Sequence, residues 1–283
     1  MSDRSPRLPS HGEWLQLGVQ EVSELHAGKQ SRVFAATIDG RKCAVKLTDS
    51  SLSNRIVLDA RMQAVVSLAG HLALVIEPAR FGGDLVREIG PWLITVTPFV
   101  DGERVDIERP ADGHLMGTTL AQLHRALARL PSGALPPVAA LDTPQHRDRW
   151  RNSWQLLHGD FSDQNTVRTP VGLRIFDFDD CGYGPIEYDI ANSLYMVLFD
   201  SVVNECMRRY EAFRPAFLAG YASEADLTVD DTDVDAIMGI RISALASWID
   251  DLPNAPIGIR TATPAWLETL RTFVTSHESI RGE

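Results

Sequence analysis

The sequence predicts an α+β protein of two lobes, a small β-rich lobe over residues 1–100 and a larger helical lobe over residues 101–283. Three observations carry this. The first hundred residues read as short strands with a single helical stretch between them. After residue 112 the apolar residues switch to helical spacing over long segments. Between the two textures, Phe99-Val100-Asp101-Gly102 breaks both patterns and reads as a hinge.

The elements follow in order. Gln30 to Ile38 and Lys42 to Leu47 are strands joined by Asp39-Gly40, a dipeptide favoured in two-residue hairpin turns. Asn54 to Ala69 places Ile56, Val57, Ala60, Ala64, Val65 and Leu68 at helical spacing. Leu74–Ile76, Leu85–Glu88 and Trp92–Val96 are expected as three further short strands. Leu115 to Leu130 is an amphipathic helix, and residues 131–144 are a Pro- and Ala-rich connector. Helical period returns over 188–222, 233–250 and 264–277.

Composition narrows the function. The chain carries 27 basic and 38 acidic side chains, a net charge of −11. That balance opposes a general nucleic-acid binder, which needs a basic surface, and favours cationic partners. Only three of the basic residues are lysines, Lys29, Lys42 and Lys46, so any lysine chemistry belongs near the N-terminus. Cys43, Cys181 and Cys206 are odd in number and widely spaced, which opposes a disulfide framework or a zinc site. With no apolar leader and no long apolar run, a cytoplasmic protein without a membrane span is expected.

The densest chemistry lies in His158-Gly159-Asp160-Phe161-Ser162-Asp163-Gln164-Asn165 and in Ile175-Phe176-Asp177-Phe178-Asp179-Asp180. A short hairpin between them, with its turn at 169–172, returns Asp177 to Asn165. An amide oxygen and a carboxylate brought together suit a hard cation such as Mg²⁺. Asp160, on the loop entering the hairpin, is placed to accept a proton from a substrate hydroxyl. Asp163 reads as a contact to a cationic acceptor or as a bystander on the substrate side. Asp179 and Asp180 read as a metal or substrate contact, or as a solvated turn.

The ordered set HGD-x4-N and IFDFDD resembles the aminoglycoside phosphotransferase and choline kinase family of small-molecule kinases. Gly182-Tyr183-Gly184-Pro185, Tyr188-Asp189-Ile190-Ala191 and Leu120-Ala121-Gln122-Leu123-His124 extend the resemblance. It implies a protein-kinase-like fold, ATP or GTP as phosphoryl donor, and Mg²⁺ held by Asn165 and Asp177 with Asp160 as base. It further implies that Lys46, in Ala44-Val45-Lys46, holds phosphates and that Gly28 and Ser31 belong to a turn covering them. Asp59 stands where the family has a glutamate to orient that lysine, since no Glu occurs between residues 25 and 76. Thr97, Phe99 and Val100 form the segment that would hold adenine, with Phe99 or Val100 donating because Pro98 has no N–H. Asp189 would brace the catalytic loop.

The expected activity is therefore phosphoryl transfer to a hydroxyl of a small cationic molecule, foremost an aminoglycoside or basic peptide antibiotic, conferring resistance. A metabolic kinase for an amino alcohol, homoserine-like compound or sugar is the alternative within the class, and a nucleotide-binding pseudokinase the alternative outside it. The acidic run Asp226 to Asp235 reads either as a solvated helix start, where carboxylates suit the helix dipole, or as a rim that attracts cations.

Overall fold

A computed structural model describes residues 6–27, 31–131, 135–138 and 141–281. The chain divides into two compact units, Met1–Asp101 and Gly102–Glu283. The first is a β-rich lobe and the second a helical one.

In the first unit a short helix, α1 (His11–Gln16), leads into strands β1 (Val19–Ala27), β2 (Ser31–Ile38) and β3 (Arg41–Asp49). Helix α2 (Arg55–Ala69) precedes β4 (Arg87–Ile89) and β5 (Trp92–Pro98). The described strands pair antiparallel in the order β1-β2-β3-β5-β4. Asp39 and Gly40 both take positive φ (49° and 73°), the twist that a two-residue hairpin between β2 and β3 requires. Asn54 caps α2 by accepting from the N–H groups of Ile56 and Val57. One sheet face is apolar: Phe34, Ala36 and Ile38 from β2, Cys43, Val45 and Leu47 from β3, and Ile94 and Val96 from β5 join Trp14 and Leu17 in a single core. Period-two alternation then puts Val33, Ala44 and Lys46 on the opposite face.

Two expected strands differ in the structure. Leu74–Ile76 adds no strand to the sheet, because the chain is still turning out of α2 (Val75 N–H to Leu72 C=O, 3.1 Å) and meets Pro78 directly after. Leu85 and Val86 are buried but precede β4. Strand β1 and helix α1, by contrast, were not anticipated; the polar run Val19-Gln20-Glu21-Val22-Ser23-Glu24 hides a sheet-edge strand.

The second unit contains α3 (Pro110–Leu127), α4 (Pro144–Arg149), β6 (Trp154–Leu157), β7 (Thr166–Thr169), β8 (Gly172–Ile175) and β9 (Gly182–Pro185). Helices α5 (Ile186–Val203), α6 (Met207–Glu224), α7 (Asp231–Asp250), α8 (Ile257–Arg260) and α9 (Pro264–Arg281) follow. The single helical stretch expected over 188–222 is two helices. Glu205 takes a positive φ of 52°, and the Cys206 N–H reaches back to Ser201 C=O at 2.7 Å, a left-handed cap that ends α5. Cys43, Cys181 and Cys206 are free thiols. Among the described residues no helix is long and apolar enough to cross a membrane.

Helices α3 and α6 pack backbone to backbone. A Cβ at Gly117 would lie 2.0 Å from Phe217 O, and one at Gly220 would lie 2.1 Å from His114 O. Both contacts are to main chain, which cannot swing away as a side chain can. Gly117→Ala should therefore destabilise the protein by about 1–3 kcal/mol, although alanine favours helix by about 1 kcal/mol. The check is the urea unfolding midpoint; an unchanged or higher midpoint would show that the two helices can separate at no cost.

Candidate active site

The site in the second unit is assembled on the N-terminal half of α5. Asp189 is completely buried and accepts from three donors: His158 N–H at 2.8 Å, Gly159 N–H at 2.9 Å and His124 Nε2 at 3.1 Å. Burial alone would raise its pKa, but the hydrogen bond and charge of His124 and the His158 contacts outweigh it and hold the carboxyl below its ordinary value. His124 is fixed in turn by the Tyr221 hydroxyl at 2.7 Å. Three and four residues on, Asn192 and Ser193 hold the Phe161 carbonyl at 3.3 and 2.9 Å. The loop 158–161 is thus bonded to successive side chains of one helix.

His158 is buried between a backbone N–H and a backbone carbonyl that together specify its state. Its Nδ1 accepts from Asp160 N–H (3.2 Å), so Nε2 carries the proton and donates to Phe176 C=O (3.0 Å). Burial lowers its pKa, and the neutral ring is what the bond accepted at Nδ1 requires. The ring also lies 4.3 Å from that of Phe178. His158 ties the loop to the segment before Asp177 and is placed for structure rather than for proton transfer.

Gly159 cannot be another residue. Its φ is +87°, and a Cβ there would sit 2.1 Å from Asp180 O. The same close approach places the 179–180 segment behind the loop.

Asp160 is partly exposed, with each carboxylate oxygen held once: Oδ1 by Asn192 Nδ2 at 3.0 Å and Oδ2 by Asn165 Nδ2 at 2.8 Å. Burial raises its pKa, the Asn192 and Asn165 hydrogen bonds and Arg241 oppose the rise, and Asp177 adds to it. A second bond from Asn165 Nδ2 goes to Asp160 C=O at 2.8 Å. The Asn165 amide is therefore oriented by its NH₂ group, which leaves Oδ1 as the oxygen it can offer.

The hairpin β7–β8 does return the chain as its sequence implies. Phe176 N–H donates to Asn165 C=O at 3.1 Å, and Asp177 follows with φ +65°. A left-handed aspartate costs of order 1 kcal/mol and persists only where the surroundings impose it, a pattern typical of functional sites. Among the described residues no three His, Cys, Asp or Glu side chains converge on one point. The donors these residues could supply are the Asn165 amide oxygen and the Asp177 carboxylate. They fit a Mg²⁺ ion that takes its remaining ligands from phosphate and water, and do not form a cage of their own. Asp163 is half-buried and its carboxyl is raised by burial; Asp179 is half-buried and Asp180 exposed.

In the first unit, Lys46 is partly exposed and lies opposite Val33 on β2 and Thr95 on β5. Ser31 opens β2 opposite Thr48, while Gly28 lies outside the described residues. Asp59 is half-buried on α2 and makes no ion pair among the described residues; its stem is one methylene shorter than that of glutamate. Thr97 pairs with Ala44. The Phe99 N–H is occupied by Lys42 C=O at 3.0 Å, and the Lys42 ammonium sits 3.8 Å from the Phe99 ring centre. Of the two donors expected in this segment, Val100 is the one the backbone leaves.

Sequence reading passed over Asn192, which bonds Asp160, and Arg241 on α7. Arg241 had a signal: it interrupts the buried apolar stripe Val234, Ile237, Met238, Leu245.

A sequence model of the phosphotransferase enzyme family matches residues 139–231, the stretch containing the loop, the hairpin and α5. An uncharacterized protein of Synechocystis, sll1119, is 30% identical over 151 residues, which is 41% of this chain and 40% of that protein. Among solved structures, the amicoumacin kinase hAmiN, in complex with AMP-PNP, Ca²⁺ and Ami, superposes with a TM-score of 0.71 at 19% identity, over 94% of this chain and 91% of that one. Spectinomycin phosphotransferase APH(9)-Ia gives 0.58 at 14% over 90% and 88%. An ethanolamine kinase of Plasmodium vivax gives 0.54 at 13% over 90% and 81%. The fold is protein-kinase-like.

Asp189→Ala would leave three buried donors without an acceptor and should cost roughly 3–5 kcal/mol in urea unfolding. An independent test is pH. An unfolded chain protonates His158 near its ordinary value of 6.5, the folded one only lower, so the unfolded state binds more protons below about 6.5 and stability should fall from there downward. A stability that stays flat between pH 7 and 5 would mean that His158 is not held neutral.

Proposed function

We propose that the protein is a Mg²⁺- and ATP-dependent phosphotransferase that moves the γ-phosphoryl group to a hydroxyl of a small molecule. The observation that carries this reading is the hold on Asp160. Two amides, each on a different element, bond its two oxygens and fix the carboxylate without neutralising it. Each oxygen keeps a lone pair for an incoming O–H. Asp160 accepts the acceptor's proton as its oxygen attacks phosphorus. Asn165 Oδ1 and the Asp177 carboxylate would hold Mg²⁺, which when bound neutralises charge on the phosphate oxygens. Lys46 supplies a point charge to the phosphates, and the Val33 and Ala44 side of the sheet offers an apolar surface to the base. GTP in place of ATP is the variant of this reading that the same backbone donors would serve.

The acceptor expected from sequence is a cationic antibiotic, and the named activities of two structural neighbours support it, an amicoumacin kinase and a spectinomycin phosphotransferase. The charge argument for it is weaker in the structure. Asp230 caps α7 through Thr232 N–H, Asp233 pairs with Arg149, and Asp231 and Asp235 pair with Arg214. The acidic run is largely a capped, salt-bridged helix start. A metabolic kinase is the second reading, and Arg241 favours it.

Asp160→Asn should lower kcat by about 10²–10⁴ while leaving Mg-ATP binding in place. Lys46→Met should act on ATP affinity and on rate together. In the parent enzyme, kcat/KM should decline on the acid side at a pH above 3.8, the ordinary value that Asp160 exceeds. ATP consumption coupled to acceptor phosphorylation measures all three. Equal turnover by Asp160→Asn and parent on every acceptor would remove the reading and leave a nucleotide-binding protein without transfer, to which Asp59, without an ion pair among the described residues, would then belong.

A further inference from the structure

Arg241 stands at the middle of α7, where the spacing calls for an apolar residue, and it is only partly exposed. Its guanidinium lies 5.3 Å from the ring centre of Tyr188 and 5.0 Å from that of Tyr195. Its Nη1 donates to the Tyr188 hydroxyl at 2.6 Å. Among the described residues no carboxylate pairs with it, and its Nε is buried without a hydrogen-bond partner. Nη1 is thus anchored, and the edge formed by Nε and Nη2 is the edge left over. With Nε itself closed off from the surface, Nη2 is the group that can offer a charged N–H to an oxygen of a carboxylate or phosphate.

The position of this edge follows from α5. Tyr188, Asn192 and Tyr195 are spaced i, i+4 and i+7 and share one helical face. The two tyrosines carry Arg241, and the asparagine between them holds Asp160 Oδ1. An unpaired guanidinium is therefore one side chain away from the base, on the face of α5 to which the base is tied. Its charge is felt at Asp160. A cationic acceptor group would be repelled there.

We infer that Arg241, seated on Tyr188 and Tyr195, is a specificity residue that binds an anionic group, carboxylate or phosphate, carried by the acceptor beside the hydroxyl to be phosphorylated. This rests on reading Asp160 as the acceptor-side base. The acceptor class is a small hydroxy acid or phosphorylated alcohol. From Tyr195 an aromatic series continues through Phe273 (5.4 Å) and Phe199 to Trp266 and packs α5 against α9.

The test compares matched acceptors on the full chain with Mg-ATP: hydroxycarboxylic acids and hydroxy amino acids, their carboxamides, phosphorylated diols, and aminoglycosides. The parent enzyme should prefer the anionic member of each pair by at least about 10-fold in kcat/KM, mainly through KM. Arg241→Gln should abolish that preference, and Arg241→Lys should restore part of it. Thermal shifts by the same hydroxycarboxylates, read without turnover on the parent and Arg241→Gln proteins, report binding alone and show that the variant folds. Retained preference in Arg241→Gln, or better turnover of amides or aminoglycosides by the parent, would overturn the inference and leave the phosphotransferase reading standing. An equal loss of kcat on every acceptor would also overturn it, placing Arg241 on the transferred phosphoryl group. If no acceptor turns over and Asp160→Asn matches the parent, the underlying reading fails; absence of a hydroxycarboxylate thermal shift in the parent would overturn the anionic subsite independently.

Discussion

One buried carboxylate organises the chemistry of the second unit. Asp189 is excluded from water and yet charged, so it must be surrounded by donors, and it takes them from the backbone of the loop itself. The consequence is geometric. The N–H groups of His158 and Gly159 cannot move without stranding the carboxylate, and Asp160 follows them in the chain. His124 and Tyr221 extend the same bonding into α3 and α6, which themselves touch backbone to backbone at Gly117 and Gly220. Helix packing and loop position are thus parts of one constraint.

The neutral His158 completes it from the other side. It accepts from Asp160 N–H and donates to Phe176 C=O, so it spans the loop and the residue before Asp177. A charged imidazole would have no acceptor site for Asp160 N–H. Burial is what keeps the ring neutral, and the neutral ring keeps the segments in register.

Charge in the second unit is distributed differently from what the net value of −11 suggests. The aspartates around 230–235 are answered by Arg149 and Arg214, so much of the local excess is internal. Arg241 is in the opposite situation: among the described residues no carboxylate pairs with it, and it is held against two tyrosine rings. Net charge is a sum over the surface and carries no information about which charges are already paired.

The 158–165 loop, the hairpin and the Lys46 strand were legible because each is a local pattern: a ladder of spaced polar residues, a turn flanked by short strands, a period of two. Edge strand β1 was not, since its exposed face is polar and its pairing depends on β2. Nor was the break between α5 and α6, where helical spacing runs on and only the left-handed Glu205 ends the helix. Asn192 and Arg241 escaped for another reason. They act on residues more than thirty positions away, and no local pattern marks such a partner. By itself the sequence determined the chemical groups and their order along the chain, because spacing and residue type are local properties. Only the tertiary structure decided which amide orients Asp160, which aspartates are already paired and where an uncompensated arginine lies, because burial and long-range contact assign those partners.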